Sequence, residues 1–132
     1  MKELVSKFVS LEQEIAQEKG NFVLFALFLR EDVPDRWDLV VSAPWFSTDT
    51  KETLDYLVGK IKPRLKESEL LMLSRIVLVS PSDPSLRAIH KAVQIEHGAV
   101  EVSNSNFFGL MIKQAYMITS KRLNGNRLSM PS

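Results

Sequence analysis

Apolar residues in the first part of the chain recur with the period of a helix. Over residues 3–19 they return every three or four positions with charged residues between them, which is the pattern of a helix with one buried stripe. Gly20 follows directly, and glycine is common where a helix ends in a left-handed conformation. The residues of the stripe are Leu4, Phe8, Leu11 and Ile15.

Residues 22–29 are apolar without any alternation. A strand of this kind needs cover on both faces and therefore lies in the middle of a sheet. A helix is the competing interpretation, but the segment is short, rich in aromatic residues and preceded by a glycine stop. The polar stretch 30–36 contains Pro34 and predicts a turn into an antiparallel neighbour that begins at Trp37.

A strand–helix–strand unit occupies the centre of the sequence. Residues 37–43 and 75–80 have the pattern of strands, and residues 49–66 between them carry a helical stripe. Two strands joined in this way form a parallel pair with a right-handed crossover. Pro63 should kink the helix, or end it and start a short second one. Another helix is predicted over residues 82–94, after a capping serine or aspartate and an early proline.

Two further strands are predicted at residues 97–103 and 110–119, joined by a turn at 104–106 into a hairpin. The predicted order is α-β-β-α-β-α-β-β. The fold class is therefore α/β (α+β), with a single mixed sheet of about five strands and helices packed on it. Residues 1–120 are expected to form one domain, and the polar residues 121–132 a flexible tail.

Composition limits the function classes without choosing among them. At 132 residues, with 45% hydrophobic and 25% charged residues, the chain is typical of one soluble domain. A net charge of +1 predicts neither a nucleic-acid partner nor an acidic one. The absence of cysteine excludes disulfides and thiolate chemistry and fits a reducing cytosol, so we expect a cytoplasmic location. No apolar run approaches the roughly 20 residues that cross a bilayer, and the N-terminus lacks the pattern of a secretory signal.

Hydroxyl side chains gather where the two predicted parallel strands lead into helices. Open sheets bind ligands beyond the carboxyl ends of their parallel strands, and helix N-termini offer unpaired backbone N–H groups. This favours a small polar or anionic ligand at residues 47–50 and 80–85, although hydroxyls at these positions also suit helix caps. No Walker or dinucleotide pattern is present, and no cofactor is expected. The candidate ligand-binding residues are Ser47, Thr48, Thr50, Ser80, Ser82 and Ser85.

A metal-dependent nuclease is the alternative enzyme hypothesis. Asp38 and Glu101 lie on predicted strands and could hold a divalent ion, with Lys113 orienting the attacking water. The order of elements resembles that of the restriction-endonuclease-like fold. The Glu-x-Lys or Asp-x-Lys motif of that family is absent around Glu101, which is followed by Val102 and Ser103. Both carboxylates equally suit the solvent face of a half-exposed sheet.

Three residues of metal-ligand type, His90, Glu96 and His97, lie close together in sequence. His90 belongs to a predicted helix and His97 begins a predicted strand, so nothing in the pattern makes them converge, and we predict no metal site. A catalytic histidine would also need an orienting partner and a nucleophile, and neither can be named from the sequence.

Basic residues cluster at a helix end and in the tail, where phosphate contacts would draw on them. No aromatic residue is interleaved with them, as single-strand binding would require, so we do not expect nucleic acid as a partner. A solvated helix end and a soluble tail explain the same residues. They are Lys60, Lys62, Arg64 and Lys66 near the helix end, and Lys121, Arg122 and Arg127 in the tail.

Self-association is suggested by one face of the last predicted strand, which carries Met111, Ala115 and Met117. If no helix covers that face, it forms an apolar patch suited to a homodimer. No nucleophile–base pair, metal cluster or phosphate loop is visible in the sequence. The leading hypothesis is therefore a non-enzymatic protein-interaction or regulatory module.

Overall fold

The centre of the molecule is a five-stranded sheet, seen in a computed structural model that describes residues 2–33 and 35–122. The predicted tail lies outside the described residues from position 123 onward. Within the described residues the helices and strands are α1 (Lys2–Lys19), β1 (Leu24–Arg30), β2 (Trp37–Ser42), α2 (Thr50–Ile61), a 3₁₀ turn (Lys62–Arg64), α3 (Glu67–Leu70), β3 (Leu73–Leu78), α4 (Ser85–Ala92), β4 (Val100–Phe107) and β5 (Leu110–Ser120).

The strands lie in the order β3-β2-β1-β5-β4. β2 and β3 run parallel, with Leu39 opposite Ile76, and the other neighbouring pairs are antiparallel. This confirms the predicted mixed α/β class and the predicted parallel pair joined by a helix. It also confirms that the apolar segment ending at Leu29 is a central strand, with β2 on one side and β5 on the other.

Two hydrophobic clusters cover the two faces of the sheet. On one face, Phe25 and Leu27 of β1 pack with apolar residues of α1 and α2. On the other face, Ala26 and Phe28 pack with Leu86 and other apolar residues of α4. We call these the α1 face and the α4 face. Since β1 contributes to both, the requirement for cover on two sides, inferred from its unbroken apolar sequence, is met by helices.

The helix between the parallel strands is shorter than its stripe suggested. Asp49 caps it, because its side chain accepts hydrogen bonds from the backbone N–H groups of Lys51 and Glu52. Pro63 lies in the 3₁₀ turn that ends the α2 segment, and the one-turn helix α3 follows. The proline removes a backbone donor and blocks a regular continuation, so it divides the segment as predicted.

The hairpin departs from the predicted pattern at its turn. β4 continues through residues 104–106, and the chain reverses at Phe108 and Gly109, which have φ angles of 56° and 73°. Asn104 also has a positive φ of 51°, inside the strand. Asparagine tolerates the left-handed region because its short polar side chain can form local hydrogen bonds. The tolerance of asparagine for this conformation, which suggested a turn at 104–106, therefore accommodates an irregular residue inside a longer strand.

A register shift in β5 alters the face predicted for self-association. The pairs Leu29–Gln114 and Arg30–Ile112 leave Lys113 without a partner in β1, so the alternation of side chains restarts there. As a result, Ala115 and Met117 are completely buried in the α4-face cluster, and Met111 alone of the predicted trio is 52% exposed. The three residues do not form one exposed patch.

Truncating Phe28 tests the two-sided cover of β1. Its ring is buried on the α4 face and stacks on Phe107, with 5.4 Å between the ring centroids. Phe28→Ala should lower the free energy of unfolding by about 3–5 kcal/mol through lost burial and a residual cavity. Met111→Ala, at an exposed site, should change it by less than about 0.5 kcal/mol. Equal effects of the two substitutions in urea unfolding would contradict the assignment of the core.

The contact between α1 and α3 predicts an acid sensitivity. Glu69 accepts hydrogen bonds from Lys7 Nζ and from the backbone N–H of Lys66, both at 2.7 Å. The hydrogen bond from Lys7, followed by that from Lys66, holds the pKa of Glu69 below its usual value. Because the folded pKa is depressed, this stabilisation is present above the pKa of the unfolded chain and is lost as pH falls through the folded value.

Glu69→Gln should therefore destabilise the protein at neutral pH and make the loss of stability between neutral and acidic pH shallower. Glu67→Gln is the matched control, since Glu67 is exposed on the same short helix. Unfolding midpoints measured from pH 7 to pH 3 provide the comparison. A Glu69→Gln curve parallel to that of the unmodified chain would show that this pair does not carry the dependence.

Candidate functional site

The two carboxylates of the nuclease hypothesis lie far apart. Asp38 is buried on the α4 face, where its Oδ2 accepts a hydrogen bond from Arg75 Nε at 3.1 Å and forms an ion pair with Arg30, whose Nε lies 3.0 Å away. Glu101 lies opposite Tyr116 on the α1 face of the outer strand β4, with two strands between β4 and β2. Lys113 is exposed at the register shift of β5. Among the described residues, no group of three or more potential metal ligands lies close enough to hold an ion.

Three of the six hydroxyls predicted to bind a ligand, those of Ser47, Ser80 and Ser82, are engaged in local turns. Ser47 Oγ accepts a hydrogen bond from the backbone N–H of Asp49 at 3.0 Å, and the hydroxyls of Ser80 and Ser82 lie 2.9 Å apart. The backbone N–H of Ser85 donates to Asp83 Oδ1. Thr48 and Thr50 are exposed. Several of these groups therefore form hydrogen bonds within their own loops, as hydroxyls near helix N-termini commonly do.

The two histidines take separate roles. His90 is buried on α4, and its Nε2 donates to the carbonyl of Val23 at 2.9 Å, which ties α4 to the start of β1. His97 lies in the loop before β4 and makes different contacts. Their ring nitrogens bind different partners, Val23 for His90 and Glu12 for His97.

His97 belongs to a network built around a buried carboxylate. Glu12 of α1 has no exposed surface, and its Oε1 lies 2.6 Å from His97 Nδ1. Its other oxygen accepts a hydrogen bond of 2.7 Å from the hydroxyl of Thr119, and that hydroxyl oxygen accepts the backbone N–H of His97. Three groups distant in sequence thus close a ring of hydrogen bonds, which satisfies a charge that would be costly to bury alone.

Two backbone irregularities assemble this network. The pairs Phe25–Thr119 and Ala26–Met117 leave Ile118 without a partner in β1, and this shift directs Thr119 toward α1. His97 adopts a φ of 55°, which is uncommon for a residue with a side chain. Such conformations persist only where surrounding contacts hold them, and they concentrate at functional sites.

The imidazole of His97 is held by Glu12 at Nδ1, and its other nitrogen lies near Glu96. Its side chain is 34% exposed, and Nε2 lies 3.6 Å from Glu96 Oε2. The same Glu96 oxygen lies 3.1 Å from Lys121 Nζ. His97 also borders a cleft of about 340 Å³, which it lines with Gln13, Ala16, Gln17 and Asn21.

Cationic side chains gather beside this network, at the end of the sheet where β2 and β5 finish and β1 begins. We call this the basic end. Three adjoining clefts open there, with volumes of about 470, 360 and 130 Å³. Among the described residues that line them, the one carboxylate is Glu96. The cations are Lys19, Arg87, Lys91, Lys121 and Arg122.

Each cleft has its own lining. The aromatic cleft, of 470 Å³, lies between Phe22, Trp45 and the cations Lys19, Lys121 and Arg122. The bridging cleft, of 360 Å³, includes Glu96, Lys121 and Arg122. The inner cleft, of 130 Å³, is lined by Arg87, His90, Lys91, Gln94 and Arg122. Arg122 therefore borders all three.

The predicted basic surface is divided between two environments. Lys60 of α2 and Arg64 of the 3₁₀ turn form ion pairs with carboxylates of α1. Lys66, directly before α3, lies 3.3 Å from Glu3 of the same helix, so these cations join α1 to the segment from α2 to α3. Lys121 and Arg122, expected in a tail, instead line the clefts of the basic end. Arg127 is outside the described residues.

Comparison with protein-family models, curated proteins and solved structures gives no match for this chain. None of the helices in the described ranges combines the length and apolar character needed to cross a membrane.

Replacing Glu12 tests whether its carboxylate holds the network together. Glu12→Gln keeps the shape of the side chain but removes the carboxylate to which His97 and Thr119 donate hydrogen bonds. It should lower the free energy of unfolding by about 1.5–3 kcal/mol. Glu14→Gln on the same helix is the matched control, because its ion pairs are exposed and contribute much less. Urea unfolding measures both. A loss for Glu12→Gln no larger than that for Glu14→Gln would contradict a central role for this buried charge.

Proposed function

We propose that this protein is a non-enzymatic binding module for a small phosphate-bearing anion, held at the basic end. The observation that supports this is the segregation of charge. The chain as a whole carries a net charge of only +1, yet cations outnumber carboxylates five to one among the residues lining the three clefts. A concave surface lined by charge of one sign focuses its potential and attracts a ligand of the opposite sign.

The inner cleft fits the charged part of such a ligand. Arg87, Lys91 and Arg122 line it, and none of its lining residues in the described part of the chain is a carboxylate. The guanidinium group presents several N–H donors in a plane and matches two phosphate oxygens at once, whereas lysine acts as a point charge. The combination favours phosphate over a monovalent carboxylate.

The aromatic cleft fits an uncharged part of the same ligand. Trp45 is held by a hydrogen bond from its Nε1 to the carbonyl of Gly20 at 2.8 Å and packs edge-on against Phe22, with 5.5 Å between ring centroids. Because Phe22 is almost completely buried, the fixed ring of Trp45 is the one that presents a flat apolar surface, at little cost in conformational entropy. The aromatic cleft shares Lys121 and Arg122 with the bridging cleft, and Arg122 with the inner cleft, so one ligand could use both surfaces.

A ligand is favoured over a large protein-docking surface by the distribution of apolar residues. The exposed large apolar side chains of the described chain, Leu71, Val100 and Met111, lie on different elements. Scattered single residues of this kind are normal on a protein surface. A regulatory role would then follow from ligand binding, and the cysteine-free composition supports a cytoplasmic location. A homodimer stays a separate prediction.

Arg122 is the residue whose removal should weaken binding most, because it borders all three clefts. Calorimetric titration with inorganic phosphate and pyrophosphate should show binding to the unmodified protein. Arg122→Gln should reduce affinity roughly 10- to 100-fold, as expected for the loss of charge-assisted hydrogen bonds.

Arg36→Gln is the matched control, since Arg36 is exposed before β2, at the opposite end of the sheet. It removes the same charge and should leave affinity nearly unchanged. Equal weakening by the two substitutions would indicate general charge attraction. Failure of both anions to bind the unmodified protein would overturn the proposal.

A further inference from the structure

Glu96 occupies the position between two groups that could bind an anion. Its Oε2 lies 3.1 Å from Lys121 Nζ and 3.6 Å from His97 Nε2, and its Oε1 lies 3.2 Å from the same lysine nitrogen. The carboxylate thus spans a primary ammonium group and an imidazole from two separate segments. A phosphoryl oxygen would find the same donors if Glu96 moved away.

We propose that Lys121 and His97 form a second anion subsite, that Glu96 fills it in the absence of ligand, and that the natural ligand carries two phosphoryl groups. This inference rests on the proposed function, because the first phosphoryl group is assigned to the inner cleft. It specifies the ligand class as a diphosphate and gives Glu96 the role of an internal competitor.

The orientation of His97 supports the subsite. Glu12 and Thr119 hold the imidazole through Nδ1 and the backbone N–H, so Nε2 is directed toward Glu96. In the proposed complex the imidazole donates from both nitrogens, through Nδ1 to the carboxylate of Glu12 and through Nε2 to a phosphoryl oxygen. The side chain is therefore fixed in place before any ligand arrives, and preorganised donors lose little entropy on binding.

The layout of the clefts supports two phosphoryl groups. The bridging cleft contains Glu96, Lys121 and Arg122, and it shares Gln94 and Arg122 with the inner cleft. Arg122 thus borders the inner cleft and the Lys121 side of the second position. Glu96 is accessible enough to move, since its side chain is 34% exposed, and an exposed ion pair with lysine is weak.

The experiment compares pyrophosphate with inorganic phosphate on Glu96→Gln. The substitution removes the competing charge and keeps the size of the side chain. It should strengthen pyrophosphate binding about 10-fold or more in calorimetry, and phosphate binding much less. Glu31→Gln is the control, because Glu31 is exposed at the opposite end of β1. His97→Gln, combined with Glu96→Gln, should abolish the gain.

A measurement on the unmodified protein removes any dependence on the folding of these variants. In ¹H–¹⁵N NMR spectra of the histidine side chains, pyrophosphate should change the chemical shift of His97 Nε2. Phosphate should change it less. His90 lines the inner cleft, and its Nε2 is bonded to a backbone carbonyl. Its signal should respond to both anions and therefore reports that the first position is filled.

The outcomes separate the two proposals. Phosphate binding that depends on Arg122, with pyrophosphate affinity unchanged by Glu96→Gln and a stationary His97 signal, would overturn the second subsite alone. An equal gain for both anions would show that Glu96 acts only through general repulsion, which also overturns it. Absence of binding by either anion would overturn the proposed function and the subsite with it.

Discussion

The two-sided burial of β1 is the constraint on which the rest of the structure depends. Phe25 and Leu27 point to one face, and Ala26 and Phe28 to the other, and all four are almost inaccessible to solvent. A strand with no polar face cannot lie at an edge or beside water, so helices must cover the sheet on both sides. The ends of the sheet are then left as the places where polar groups from several elements can meet. The basic end is one of them.

The sequence predicted those features that depend on local periodicity. The alternation before Ser42, the stripe of α2 and the β-branched residues of β3 are each visible within a few positions, so the parallel pair could be predicted before its geometry was known. The register shifts at Lys113 and Ile118 are different, because they describe how β5 pairs with β1 rather than what β5 contains. A shift of one residue reverses the faces of the side chains beyond it. No alternation in a single strand carries that information.

The candidate site was missed for the same reason. Glu12 has the sequence context of an exposed residue on a charged helix, and nothing local indicates that its carboxylate is fully buried. Its partners His97 and Thr119 lie 85 and 107 positions away in the sequence. Thr119 reaches the carboxylate because of the register shift in β5. The cations of the basic end are equally dispersed along the chain. A net charge near zero conceals their segregation, since the acidic residues that balance them lie elsewhere.

The buried carboxylate is the strongest reason to regard this end of the molecule as more than a packing arrangement. An apolar residue at position 12 would fill the space beneath β5 without the cost of dehydrating a charge, and such replacements are commonly neutral or stabilising. Thr119 alone could be satisfied by a backbone group. What the carboxylate adds is a fixed direction for the imidazole of His97, whose backbone is held in an uncommon conformation and whose second nitrogen faces Lys121 across Glu96. Stability alone does not require that direction, whereas a binding site does.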